Sequence, residues 1–256
     1  MVESLARPEG SSTSSVRTVE FTRPLRWLAR GANDLRRALA PSLFYGLVFA
    51  FAGAWATWVA WGRPHLVTAL FSGFLLVGPF LLMGVYDLSR QLDAGERPDL
   101  GRSLSAWRAN AESIGLYGFL LAFVLISWER ISAILFALLL PAEVASVERL
   151  ISEIVFSGRH LELLALWALA GALLAALVFA FSVVSVPMLL DRRTDVVTAL
   201  LTSLAAVRAN PAPLALWAVL IVVLTAVGFA TWFAALVVVL PLLGHATWHA
   251  YRDLVE

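Results

Sequence analysis

His245 and His249, four residues apart, are the side chains in this sequence whose types and spacing most directly suggest chemistry. On a helix that spacing puts both imidazoles on one face, as a metal site or an axial haem ligand requires. The run reads His-Ala-Thr-Trp-His and lacks the glutamate of a His-Glu-x-x-His zinc motif. Trp248 and Tyr251 beside them offer a plainer reading, an amphipathic belt at a headgroup boundary. Glu129 and Arg130 form the second pair, adjacent charges inside an apolar run. Ionisable groups in such a run are functional suspects by default. Counted from Ser113, Glu129 lies about 24 Å along a helix. That is close to an interface, where Trp128 and a snorkelling Arg130 favour a structural anchor. There is no Gly-rich phosphate loop, no Gly-x-Ser-x-Gly elbow and no carboxylate pair within an apolar run. The chain has no cysteine, hence no thiolate ligand or cysteine nucleophile. The expectation is a non-enzymatic protein without a cofactor. His245 and His249 remain its metal candidates, and Glu129 and Arg130 its intramembrane charges.

The elements that position these groups follow from composition. Of 256 residues, 60% are apolar and 14% charged, with ten Trp and fifteen Phe. A soluble domain carries about 45–50% apolar and about 25% charged residues, so this chain needs a lipid solvent. A net charge of +1 argues against a nucleic-acid partner. Charge-free apolar stretches of about 20 residues are long enough to cross the bilayer. They predict six spans near 42–61, 65–86, 113–140, 161–190, 211–228 and 229–250, the last two dividing near Gly228. The fold class is thus an all-α polytopic membrane bundle over residues 21–256, preceded by a flexible polar tail, 1–20.

Arginine asymmetry sets the orientation. Six spans group the N-terminus, Asp87–Glu112, Asp191–Asn210 and the C-terminus on one side with fifteen arginines, against three in the opposite loops. Both termini are therefore expected in the cytoplasm. The segments before the odd-numbered spans also echo one another. Ser103-Leu-Ser-Ala-Trp-Arg-Ala-Asn110 recurs as Ser203-Leu-Ala-Ala-Val-Arg-Ala-Asn210, with a looser copy at Arg36–Pro41. Tyr45-Gly46 mirrors Tyr117-Gly118, and Pro79, Pro187 and Pro241 open similar runs in the even spans. This reads as three repeats of a short amphipathic cytoplasmic helix plus a helical hairpin. In Asp195–Val207 the apolar residues recur at helical spacing, with Asp195 or Thr194 able to cap. Such helices lie in the headgroup plane with Arg36, Arg108 and Arg208 on lipid phosphate. Gly46, Gly53, Gly171 and the alanines of span four suit close helix approach.

Three stretches carry a resemblance: Arg23–Leu28, Phe179–Arg192 and Pro241–Leu254. Together they resemble an uncharacterised family of bacterial integral membrane proteins, mainly proteobacterial, over about residues 20–256. The resemblance implies an inner-membrane location and leaves function open. Some members carry an automatic label of cytochrome c oxidase subunit I. A haem–copper core needs about six histidine ligands, and this chain has four, on both expected faces. The label therefore points to association with respiratory machinery rather than catalysis. The first functional expectation is an accessory, assembly or structural partner in a larger membrane complex, contacting lipid and either other subunits or itself. The alternative is a small transporter or channel, with Thr57, Thr68, Ser72, Ser182, Ser185 and Thr225 as candidates for a polar path.

Overall fold

A computed structural model describes residues 15–60, 82–139 and 161–256. The expected positions at His65, Thr68, Ser72 and Pro79, and the stretch 140–160, lie outside the described residues. Among those residues the regular structure is helical throughout. The helices are α1 (Arg23–Arg37), α2 (Leu39–Ala60), α3 (82–93), α4 (Leu100–Ser105), α5 (Ala111–Leu139), α6 (Leu161–Ser182), α7 (Ser185–Asp191), α8 (Val196–Ala209), α9 (Pro211–Ala230) and α10 (Leu236–Leu254). A 3₁₀ turn, Ala106–Asn110, joins α4 to α5. Among the described residues, four stretches are long and apolar enough to cross a membrane: Leu39–Val59, Leu100–Leu135, Leu161–Asp191 and Pro211–Ala230. Large apolar side chains such as Phe51, Phe123, Leu173 and Val222 stand exposed along them, as lipid contact requires and water would penalise.

α10 occupies the centre, packed against α1, α2 and α9. Small residues let the backbones meet. A Cβ on Gly46 of α2 would lie 2.0 Å from the Val237 carbonyl oxygen of α10, and one on Gly31 of α1 would lie 2.7 Å from the Ala246 nitrogen. Gly46 thus has the close-approach role its sequence context suggests. The alanines of span four do not: Ala168, Ala172, Ala175 and Ala176 are exposed, and on that helix Gly171 meets Trp128 of α5.

The last two helices divide at 231–235 rather than at Gly228. Gly228 stays inside α9 because the Leu236 side chain fills the space a Cβ would need. The chain turns through Trp232 and Phe233, both at positive φ. The Phe233 N–H bonds the Gly228 carbonyl and the Thr231 hydroxyl accepts from the Ala235 N–H, a Schellman-type close. Span four breaks at Val183–Val184, just before Pro187, whose missing N–H and ring interrupt the ladder. Ser203 of α8 repairs the break: its hydroxyl donates to the Ala180 carbonyl at 2.8 Å and accepts from the Val184 N–H at 3.2 Å.

α8 is capped by Asp195, whose side chain accepts from the Thr198 N–H. Its small and hydroxyl-bearing face, Ala199, Thr202, Ser203 and Ala206, is turned inward, while Val197 and Leu201 are exposed. The large apolar face therefore looks outward, with Arg208 exposed beside it.

Two substitutions separate backbone proximity from helix propensity. Gly46→Ala should destabilise the detergent-solubilised protein by about 1–3 kcal/mol through overpacking. Gly115→Ala, where a Cβ meets nothing within 4 Å, should be neutral or stabilising by about 0.5–1 kcal/mol. Unfolding in a denaturing detergent titration reads both, and equal effects would contradict the α2–α10 contact.

Candidate functional site

The amphipathic pattern of α1 buries Trp27, Gly31, Asp34 and Leu35 and leaves Arg26, Arg30, Arg36 and Arg37 outward. One carboxylate, Asp34, therefore sits on the inward stripe, 4% exposed. A buried carboxylate is costly unless hydrogen-bonded, and Asp34 has two donors on one oxygen. His249 Nε2 lies 2.8 Å and the Ser89 hydroxyl 2.9 Å from its Oδ2. Since Ser89 gives its proton to Asp34, its oxygen accepts from His245 Nδ1, 2.7 Å away. The ring's Nε2 then accepts from the Ser42 hydroxyl at 2.8 Å. Two hydroxyl partners and no carboxylate in direct contact leave nothing to stabilise a second proton on this buried ring. The network Ser42–His245–Ser89–Asp34–His249 thus ties α1, α2, α3 and α10 together.

Burial pulls the Asp34 carboxyl upward, but the bonds from His249 and Ser89 hold it below its ordinary value. A second junction lies nearby. Asp253 of α10 accepts from Arg23 Nε at 2.7 Å, Trp27 Nε1 at 2.8 Å and Arg30 Nη1 at 3.1 Å. Burial raises that carboxyl too, and these donors outweigh it.

Further contacts gather the four segments expected on one side at one end of the molecule. Arg17 N bonds the Leu254 carbonyl, and Val16 bridges Val255. Asn210 holds the Val19 N–H and the Arg17 carbonyl. Asn110 holds the carbonyls of Leu189 and Thr194. Trp248 Nε1 donates to Asp93, and Tyr251 donates to Asp191. The expected flexible tail is therefore pinned from Ser15 onward. α3 also runs on into the expected polar loop, because each buried polar group finds a partner: Asp87 with Arg90 and Gln91, and Gln91 with the Asp99 N–H.

The expected site residues are distributed unevenly. His245 and His249 are brought together, but inside the molecule, 0% and 7% exposed, rather than at a headgroup belt. Both His245 nitrogens are occupied, and no group of three or more His, Asp or Glu among the described residues is arranged to hold a metal. Glu129 is half-buried and Arg130 exposed on α5, distant in sequence from the histidines and joined to them by no hydrogen bond. α5 continues straight past them to Leu139, and Trp128 stacks against Trp167 at 5.4 Å. Arg36, Arg108 and Arg208 are all exposed, Arg108 lying over the Trp107 ring. Sequence reasoning missed Asp34, Ser42 and Ser89. The signal for Asp34 was present: it stands seven residues after Trp27 and directly before Leu35, on their stripe.

A serine hydroxyl on an imidazole, itself oriented through a hydroxyl by a carboxylate, has the order of a nucleophile and its base. Ser42 has no exposed surface, however. An open cleft of about 580 Å³ reaches Asp34 and His249 but not Ser42 or His245; Ala29, Arg30, Asn33, Arg37, Asp93 and Arg252 complete its lining. Among the described residues the network's bonds join α1, α2, α3 and α10 to one another.

Asp34 and Asp253 both have folded-state values below their unfolded ones. The stability they lend is complete above about pH 4 and is lost as pH falls through the folded values. The melting temperature should fall below that point, and Asp253→Asn should flatten the fall. At neutral pH, Asp34→Asn should cost about 1–3 kcal/mol. A melting temperature unchanged on acidification would contradict both assignments.

Residues 66–191 match the family described as Predicted integral membrane protein (DUF2189), just under half of the chain. No curated protein and no solved structure matches.

Proposed function

For a chain that over residues 66–191 belongs to the DUF2189 family of integral membrane proteins, we propose a non-enzymatic role as an accessory, assembly or structural partner in a larger membrane complex. It would lie in a bacterial inner membrane with six spans and both termini cytoplasmic. The observation that carries this reading is the commitment of the polar groups. Asp34, Ser42, Ser89, His245, Asp253 and the side chains of Asn110 and Asn210 are all used to join elements of the chain to one another. A set of donors and acceptors occupied in this way makes a rigid end, not a reaction centre.

The transporter reading draws less support. Of its candidate hydroxyls, Thr57 bonds the Gly53 carbonyl of its own helix, Ser182 accepts from Tyr117, and Ser185 donates to the Phe181 and Ala199 carbonyls. They serve helix packing and the break before Pro187. Two of the three proposed copies use corresponding residues in parallel, which supports a repeat of at least those two. Ser103 and Ser203 are both buried, and Asn110 and Asn210 both clamp a distant stretch of backbone. Tyr45 shares a hydrogen bond with Ser103 at 2.8 Å, whereas its counterpart Tyr117 bonds Ser182 of α6 rather than Ser203.

Native mass spectrometry of the protein gently extracted from its own membrane tests the role. Stoichiometric co-purified subunits are the expected result; a 27.8 kDa chain alone with lipid would contradict it. Orientation is read in this cysteine-free chain by single cysteines. Ala94→Cys and Arg208→Cys should resist an impermeant reagent added to intact cells, whereas Trp232→Cys should react. The reverse pattern would overturn the proposed sidedness.

A further inference from the structure

The cleft over Asp34 and His249 is mixed in charge, and its charges are not all spent. Arg30 pairs with Asp253, and Arg252 with Asp191. Arg37, at the end of α1, makes no ion pair among the described residues. Asp93, at the end of α3, accepts only the neutral indole N–H of Trp248, at 2.8 Å. An uncompensated cation and an uncompensated carboxylate thus line the same cleft without touching each other. A purely anionic occupant would face Asp93, and a purely cationic one would face Arg37; each leaves a repulsion that an occupant carrying both charges removes.

We propose that this cleft binds a zwitterionic head group of the phosphoethanolamine class, its phosphate on Arg37 and its ammonium on Asp93. A guanidinium suits the phosphate because its fork matches two phosphate oxygens. Arg30 and Arg252, each with about half of its side chain exposed, flank it, and Asn33 supplies a neutral amide. The Asp34–His249 pair forms a floor that the buried network holds fixed. The cleft lies at the end where the N-terminus, the α3–α4 segment and the C-terminus meet, the level at which amphipathic α1 and α8 would meet headgroups. The same chemistry is carried by a phospholipid and by free phosphoethanolamine. The site does not rest on the accessory role, since a lone chain could hold it.

The test uses the full chain in detergent, offered equal amounts of phosphatidylethanolamine and phosphatidylglycerol with identical acyl chains, with adducts counted by native mass spectrometry. Phosphatidylethanolamine should be retained severalfold over phosphatidylglycerol. Arg37→Gln should lower its retention by about tenfold, the scale of one charge-assisted hydrogen bond. Asp93→Asn, whose amide oxygen still accepts from Trp248, should erase the preference between the two lipids while the melting temperature stays within a few degrees. Soluble phosphoethanolamine that displaces the lipid identifies the head group as sufficient; lipid that stays bound against it identifies the membrane as the source. Equal retention of both lipids by the unsubstituted protein, or an undiminished preference in Asp93→Asn, would overturn the proposal.

Discussion

A carboxylate turned toward the inside of a lipid-soluble bundle has to be hydrogen-bonded, and the polar end of this protein is organised around that requirement. Asp34 faces inward because the stripe that buries Trp27 and Leu35 passes through it. Its oxygen then fixes where Ser89 of α3 and His249 of α10 can be, and Ser89 in turn fixes the tautomer of His245. Removing one member of such a network leaves the others desolvated and unpaired, which costs more than the bond itself. Two hydroxyls, two imidazoles and one carboxylate thereby determine the relative placement of four helices.

The two ends of the bundle differ in kind. Among the described residues, the contacts toward the far end include Trp128 on Trp167, Phe229 on Phe233 and a bond from Trp167 Nε1 to Ser132, with the rings of Trp58 and Trp232 exposed. Trp58 and Trp128 stand roughly 25–30 Å along their helices from the polar end at 1.5 Å per residue, close to the hydrocarbon thickness of a bilayer. Of the tryptophans toward the polar end, Trp107 is exposed, whereas Trp27, Trp217 and Trp248 are buried in the core. The near end, rich in arginine and aspartate, coheres through directional contacts.

Much of the architecture was legible from charge-free runs. The helices α2, α5, α6 and α9 are where continuous apolar sequence puts them, because a backbone in lipid has no alternative to the helix. The grouping of the four segments that together hold fifteen arginines was legible too, and their mutual hydrogen bonds bring them to one end. Local periodicity was less informative about α8, whose inward face is its small and hydroxyl-bearing one: Ser203 is needed at the break before Pro187, and that requirement belongs to another helix. The division at 231–235 was hidden for a similar reason, since Gly228 is a packing residue under Leu236. The histidines were visible as a pair, but their partners Ser42 and Ser89 come from 203 and 156 residues away in sequence, and no spacing rule reaches that far.

The most direct test of the account is the protonation of the His245 ring, because its tautomer is fixed only if Ser89 gives its proton to Asp34. Nitrogen-15 NMR of the histidine side chains in detergent or bilayers, assigned with His245→Gln, reads it. The account predicts a neutral ring with its proton on Nδ1, unchanged between mildly acidic and mildly basic pH. A ring that titrates over that range, or one averaged between its two tautomers, would contradict the network on which the placement of α1, α2, α3 and α10 rests.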